Sequence, residues 1–370
     1  MTDIPAPAHI RAIAPYQAGK PIEELAREYG LDPAGIVKLA SNENPLGCSG
    51  RVRAALGEAV DALHGRYPDA NGFDLKASLA MRHQVPASWV TLGNGSNDLL
   101  ELASLALLDE GTSAVYAQHA FVVYRLSTQA RGARHLMVPA RDYGHDLDAM
   151  LEAIADDTRL VFIANPNNPT GTHVPGARVR AFLESVRERH ADRVTVLLDE
   201  AYDEYLDPDE RVDSTRWVRE FPNLIVTRTF SKAYGLAGLR VGYALAQPAL
   251  TDLLNRVRQP FNVNILAQIA ARVALDDTDF LAQTYALNKT GRAQLQEGFA
   301  ALGLDYVPSH TNFVLVRVGD AARVNDQLLR QGVIVRPVAG DGLPEHLRVS
   351  IGLPGENTRL LDALKSVLQA

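Results

Sequence analysis

The sequence predicts an α/β protein: a large domain with a mostly parallel seven-stranded sheet, followed by a smaller α+β domain. Three observations predict it. Seven short runs, at 89–92, 114–116, 135–138, 160–164, 194–198, 224–227 and 241–245, are apolar without alternation, as expected of buried strands covered on both faces. Amphipathic stretches at 98–108, 121–131, 147–155 and 176–190 lie between most of them, and strands alternating with helices build a layered α/β unit. After about residue 270 the texture changes to a long helical pattern and short, separated strands.

Taken in order, the first thirty residues hold a Pro-rich extended piece and a helix at 21–29, with Pro21 at a plausible first helical position. The seven strands and their helices follow. The C-terminal part reads as a helix at 279–302, strands at 312–317, 333–336 and 347–350, a helix at 322–331 between the first two, and a last helix. The expected division is an N-terminal arm that is also part of the small domain (1–30), a large ligand-binding domain (31–275) and a small C-terminal domain (276–370).

The 370 residues carry a formal charge of −7 and no long Lys/Arg run, which argues against nucleic acid or an anionic membrane surface as the main partner. One cysteine, Cys48, excludes an internal disulfide and a multi-cysteine metal site. The start lacks the regions of a signal peptide, and no apolar run approaches the ~18 residues of a membrane span; the expectation is a cytoplasmic protein acting on small molecules. Basic residues are six lysines against 31 arginines, so chemistry that needs a lysine amine has few candidates.

In open α/β sheets ligands gather beyond the carboxyl ends of the strands, and the residues there are polar and specific. Gly93-Asn94-Gly95-Ser96-Asn97 leads into a helix, where small residues and free N–H groups suit an anion. It matches neither the dinucleotide nor the nucleoside-triphosphate glycine pattern. The fourth strand is followed by Asn165-Pro-Asn-Asn-Pro-Thr-Gly171, the fifth by Asp199-Glu-Ala-Tyr202, and the sixth by Thr229-Phe-Ser-Lys232-Ala-Tyr-Gly-Leu-Ala-Gly-Leu-Arg240. Asp199 follows the apolar Val196-Leu-Leu198, where an unpaired carboxylate is costly, so a cationic partner or a solvated strand end is expected. Lys232 among small and apolar residues loses solvation of its charged form, which favours the nucleophilic free amine. A lysine to make an imine, an acid to keep a pyridine nitrogen protonated and a cradle for phosphate are the parts that hold pyridoxal 5′-phosphate.

With these segments in that order, and with Ala14-Pro-Tyr16, Leu39-Ala-Ser-Asn-Glu-Asn-Pro-Leu-Gly47 and Arg66-Tyr-Pro68 before them, the chain resembles the fold-type I, class-II pyridoxal-phosphate-dependent aminotransferases. Within them it resembles the histidinol-phosphate aminotransferase family. The resemblance runs almost end to end. It implies that Lys232 binds the cofactor and moves the proton between Cα and C4′, that Asp199 pairs with the pyridinium nitrogen, and that Asn168 and Tyr202 hydrogen-bond the phenolic oxygen. Gly95, Ser96, Asn97, Thr229, Ser231 and Arg240 match phosphate-binding positions. Phe121 stands where many relatives stack a tyrosine on the ring, and an aromatic face suffices for that. Tyr67 matches a tyrosine that reaches the neighbouring subunit's phosphate, which implies a homodimer with shared active sites. On the substrate side the resemblance points to Tyr16, Asn44, Arg336 and Arg348, arginine being suited to bidentate anion binding.

The implied reaction moves an amino group between histidinol phosphate and 2-oxoglutarate, forming 3-(imidazol-4-yl)-2-oxopropyl phosphate and glutamate in histidine biosynthesis. An aromatic amino acid aminotransferase or a threonine-phosphate decarboxylase on the same fold remains an alternative. A cofactor-binding DNA regulator lacks room for its DNA module, and a nicotinamide oxidoreductase lacks its fingerprint. The histidines show no metal-ligand spacing, so no metal is expected, and the acidic residues Asp203, Glu204, Asp207, Asp209 and Glu210 read as a solvated face.

Overall fold

All seven apolar runs pair into one sheet. The computed structural model describes residues 5–15, 19–63 and 65–369. Its strands are Val37–Lys38 (β1), Val90–Gly93 (β2), Ser113–Ala117 (β3), Arg134–Val138 (β4), Thr158–Ala164 (β5), Thr195–Asp199 (β6), Leu224–Thr229 (β7), Gly242–Leu245 (β8), Tyr306–Val307 (β9), Phe313–Arg317 (β10), Val333–Ile334 (β11), Arg336–Pro337 (β12) and His346–Ser350 (β13). The large sheet has the order β2-β8-β7-β6-β5-β3-β4. Its members are parallel except β8, which runs antiparallel to both neighbours.

Burial explains the continuous apolar runs: Leu160, Val161, Phe162, Ile163, Val196, Leu197, Leu224, Ile225 and Val226 are fully enclosed between the helical layers. Each such large side chain contributes roughly 1.5–3 kcal/mol through burial. β4 departs from the expectation of a buried strand. It is the sheet's edge, where Met137 is exposed and only Val138 is buried, so its apolar run covers one rim.

The helix Ser96–Leu107 buries Leu99, Leu100, Leu102 and Ala103, a stripe at helical spacing, while its start carries no side-chain cap. Gly176–His190 matches its expected bounds, and the helix Ile22–Tyr29 begins one residue after Pro21, which serves as its N-cap. Four further helices, Gly50–Leu63, Phe73–His83, Pro248–Val257 and Ile265–Leu275, pack around the large sheet and were not assigned from the sequence.

The C-terminal unit is an antiparallel sheet, β12-β13-β10-β9, packed with the helices Thr278–Ala301, Ala321–Arg330 and Pro354–Gln369 around Val314, Val316, Leu328 and Leu364. The run expected as one strand at 333–336 divides: β11 pairs with β1 in a separate two-stranded sheet, and β12 joins β13. Leu25, Ile36 and Ala40 cluster with Ile334, and Val37 and Leu39 join the C-terminal core. We therefore propose that the division between the two units falls after residue 40.

Candidate active site

Register alone assembles the heart of the site. β5, β6 and β7 are parallel, with Ala164 beside Asp199 and Asp199 beside Thr227, so the polar segments that follow them emerge on one edge. β8 then sets Gly242 between Gly93 and Thr229. A Cβ on Gly242 would stand 2.5 Å from the Ser96 nitrogen; glycine is what lets the helix start approach the sheet this closely.

The edge opens into a cavity of about 540 Å³. Of the residues expected from the sequence, Ser96, Asn97, Phe121, Asn168, Asp199, Tyr202, Thr229, Ser231, Lys232, Arg240, Arg336 and Arg348 all line it. Gly95 adjoins as the N-cap of the helix, at φ +85. Its missing Cβ leaves the space for Arg240, whose Nη2 would lie 2.5 Å from that atom. Arg240 donates from Nη1 to Ser231 Oγ at 3.3 Å, and Ser231 N donates to Thr229 Oγ1 at 3.1 Å. Uncapped helix N–H groups, two hydroxyls and a guanidinium thus converge at one end, which is an anion cradle.

Lys232 donates from Nζ to the Ser41 carbonyl at 3.3 Å and stands 5.9 Å over the Tyr202 ring. Burial, with help from the Arg348 and Arg240 charges, lowers its pKa to about 8. Asp199 is buried, and burial raises its carboxyl above the ordinary value. It accepts from Tyr124 Oη at 2.8 Å and from Thr227 Oγ1 at 3.1 Å, and among the described residues it makes no salt bridge. A carboxylate held by neutral donors alone, in a wall of the cavity, suits a ligand that brings a positive charge. With an amine-bearing lysine in the same cavity and the anion cradle, the set fits pyridoxal 5′-phosphate.

The opposite end belongs to the C-terminal unit. Arg348 donates from Nη1 to Asn168 Oδ1 at 2.7 Å and from Nη2 to the Ala40 carbonyl at 2.9 Å, and lies 5.2 Å over the Phe313 ring. A second hollow of about 620 Å³ shares Phe121, Asn168, Arg336 and Arg348 with the first.

Of the other expected residues, Tyr67 and Asn44 do not line the cavity. Tyr16 lies outside the described residues. Tyr67 is 82% exposed and stacks on Phe261 at 4.8 Å. Asn44 is a correction: its side chain donates to the Ala233 carbonyl at 2.9 Å and to Thr284 Oγ1 at 3.0 Å, and its Oδ1 accepts from Leu46 N at 3.0 Å. Those bonds use both amide donors and one acceptor position, so Asn44 ties its segment down, outside the cavity lining. Asn42 takes the place in the cavity instead, donating to Tyr202 Oη at 3.0 Å from a backbone at φ +54.

The acidic stretch also differs from a solvated face. Asp203 and Glu200 share Arg228 at 3.1 and 2.9 Å, and burial pushes the Glu204 carboxyl up to about 7. Glu210 meets His173 and His310, a grouping with metal-ligand character that spacing along the chain did not reveal.

Fold and site together define a pyridoxal-phosphate-type transferase, and the chain belongs to the class I and II aminotransferases, whose family model matches residues 34–364. It is 63% identical, over 98% of this chain and 96% of the relative, to histidinol-phosphate aminotransferase 2 of Ralstonia nicotianae. It is 62% identical, with the same coverage, to histidinol-phosphate aminotransferase 1 of Cupriavidus pinatubonensis. Among solved structures it resembles the histidinol-phosphate aminotransferase of Sinorhizobium meliloti in complex with pyridoxal-5′-phosphate, with a TM-score of 0.90 at 29% identity, covering 100% of this chain and 98% of that one.

Proposed function

We propose that this protein is a pyridoxal-phosphate-dependent aminotransferase that takes the amino group of L-histidinol phosphate and passes it to 2-oxoglutarate, serving L-histidine biosynthesis. The observation that carries the reading is a cavity with two anion-binding ends, the helix-start cradle at one and Arg336 with Arg348 at the other, and Lys232 and Asp199 in its walls. The names of the 62–63% identical relatives support the substrate.

When bound, pyridoxal 5′-phosphate supplies an aldehyde carbon that accepts the amino group and a pyridinium ring that withdraws electrons from the substrate Cα. Asp199 keeps the proton on the ring nitrogen, and Tyr124 and Thr227 hold the carboxylate in place for it. Lys232 anchors the group through Nζ and then, as the free amine its lowered pKa favours, carries the proton away from the substrate Cα. Ser96, Asn97, Thr229, Ser231 and Arg240 would hold the phosphate, Asn168 and Tyr202 would bond the phenolic oxygen, and Phe121 would offer its aromatic face to the ring. Arg348 and Arg336 bind the anionic end of each substrate in turn, phosphate in one half-reaction and carboxylate in the other. Tyr67, exposed in the single chain, reaches the cradle of a second copy, so the working form is a homodimer, and its place is the cytoplasm.

The test is a set of half-reactions on purified holoenzyme, offering histidinol phosphate, tyrosine, phenylalanine and threonine phosphate separately and following the cofactor's visible absorbance. Histidinol phosphate is expected to convert it fastest. If an aromatic amino acid does so, or if threonine phosphate releases CO₂, the substrate assignment fails while the cofactor assignment stands.

A further inference from the structure

Three segments remote in sequence bring His173, Glu210 and His310 together outside the cavity, with one ligand atom from each lying within 4.8 Å of the others. The backbone holds them there. His173 lies two residues past Gly171, whose carbonyl accepts the His310 N–H at 2.8 Å. Gly171 at φ +80 admits that approach, since a Cβ would meet Ser309 Oγ at 2.6 Å. Glu210 closes the short turn Pro208–Glu210.

His310 Nδ1 and Glu210 Oε2 are 2.9 Å apart, and the two imidazoles face each other at 5.3 Å between centroids, tilted by 41°. An ion pair accounts for His310 and Glu210. It leaves His173 unexplained, because that pair needs no second imidazole beside it, and the His173 side chain makes no hydrogen bond among the described residues. Two neutral imidazoles and one carboxylate converging on a common point form a donor set for a first-row divalent ion, with a fourth position open to water.

We propose that His173, Glu210 and His310 bind one Zn²⁺ per chain. The ion takes the place of the proton between His310 Nδ1 and Glu210 Oε2, and that proton leaves to solvent. The site would tie the loop that carries Asn168, an Arg348 partner in the cavity wall, to the turn at Glu210 and to the segment preceding β10. It is a structural clamp at the junction of the two units, distinct from the cofactor's residues.

The experiment is calorimetric titration of tag-free, chelator-dialysed holoenzyme with ZnCl₂, with Co²⁺ as a spectroscopic substitute. The expected result is one ion per chain, low-coordinate Co²⁺ bands and a raised Tm. His173→Ala, Glu210→Gln and His310→Ala should each weaken Zn²⁺ binding by at least about tenfold, the lower end of what even outer-shell lesions cost at metal sites. His190→Ala, at the far end of the helix Gly176–His190 and bonded to Arg193, should not. Absence of a stoichiometric ion in the unsubstituted enzyme, or equal binding by all four variants, overturns the proposal. The first of these outcomes needs no variant to fold.

Discussion

Two adjacent carboxylates at the end of β6 show how one strand serves both architecture and chemistry. Asp199 and Glu200 are each about 5% exposed, and burial raises both carboxyls from their ordinary values, Glu200 to about 7. Their surroundings differ completely. Glu200 accepts from Arg228 Nε and Nη2 at 3.0 and 2.9 Å and from Ser214 Oγ, so its charge is answered within the chain. Among the described residues Asp199 has only the hydroxyls of Tyr124 and Thr227, besides backbone. A carboxylate whose counter-charge is built in stabilises a fold, and one whose counter-charge is left to a ligand prepares a site.

The largest expected effect breaks the contrast on the Asp199 side. Asp199→Asn should fold and still bind cofactor, yet lose turnover by roughly 10²–10³-fold, as for other lost electrostatic partners of a transition state. Near-normal turnover in steady-state assays would place Asp199 with Glu200 as a structural residue. On the other side, Arg228→Met should destabilise the protein by about 3–5 kcal/mol, because it strands Glu200 and Asp203 without their cation. Urea unfolding measures this, and the surviving folded enzyme should keep its turnover within a few-fold. A smaller change sharpens the comparison: Tyr124→Phe removes one hydrogen bond to Asp199 and should lower turnover about tenfold, with the cofactor spectrum titrating at altered pH. An unchanged spectrum would show that Tyr124 merely fills space.

Sequence made much of this legible for a physical reason. Residues after strand ends are exposed to the ligand and restricted in type, so Asp199, Lys232, Arg240 and the helix start at Ser96 announce themselves through motif and spacing. Tyr124 does not. It lies within the helix Val122–Ala130 and stacks on Phe162 at 4.6 Å, which makes it indistinguishable in sequence from core; only the fold brings its hydroxyl to Asp199. Asn42 and Asn44 compete in one short segment, and the turn at φ +54 decides which amide faces the cavity. The acidic stretch misled because Arg228, its cation, belongs to the neighbouring strand β7. His173, Glu210 and His310 lie too far apart in sequence for any spacing rule to join them.

The central claim is that Lys232, made nucleophilic by its burial, carries the cofactor opposite Asp199. The direct test is to mix apoenzyme with pyridoxal 5′-phosphate across a pH series, trap the product with borohydride and map the labelled peptide. Because only the free amine reacts, the capture rate should rise with pH to a plateau, half-maximal near the Lys232 pKa of about 8, with the label on Lys232 alone. Label on any of the other five lysines, or a midpoint near the ordinary lysine value of about 10.4, would contradict the account.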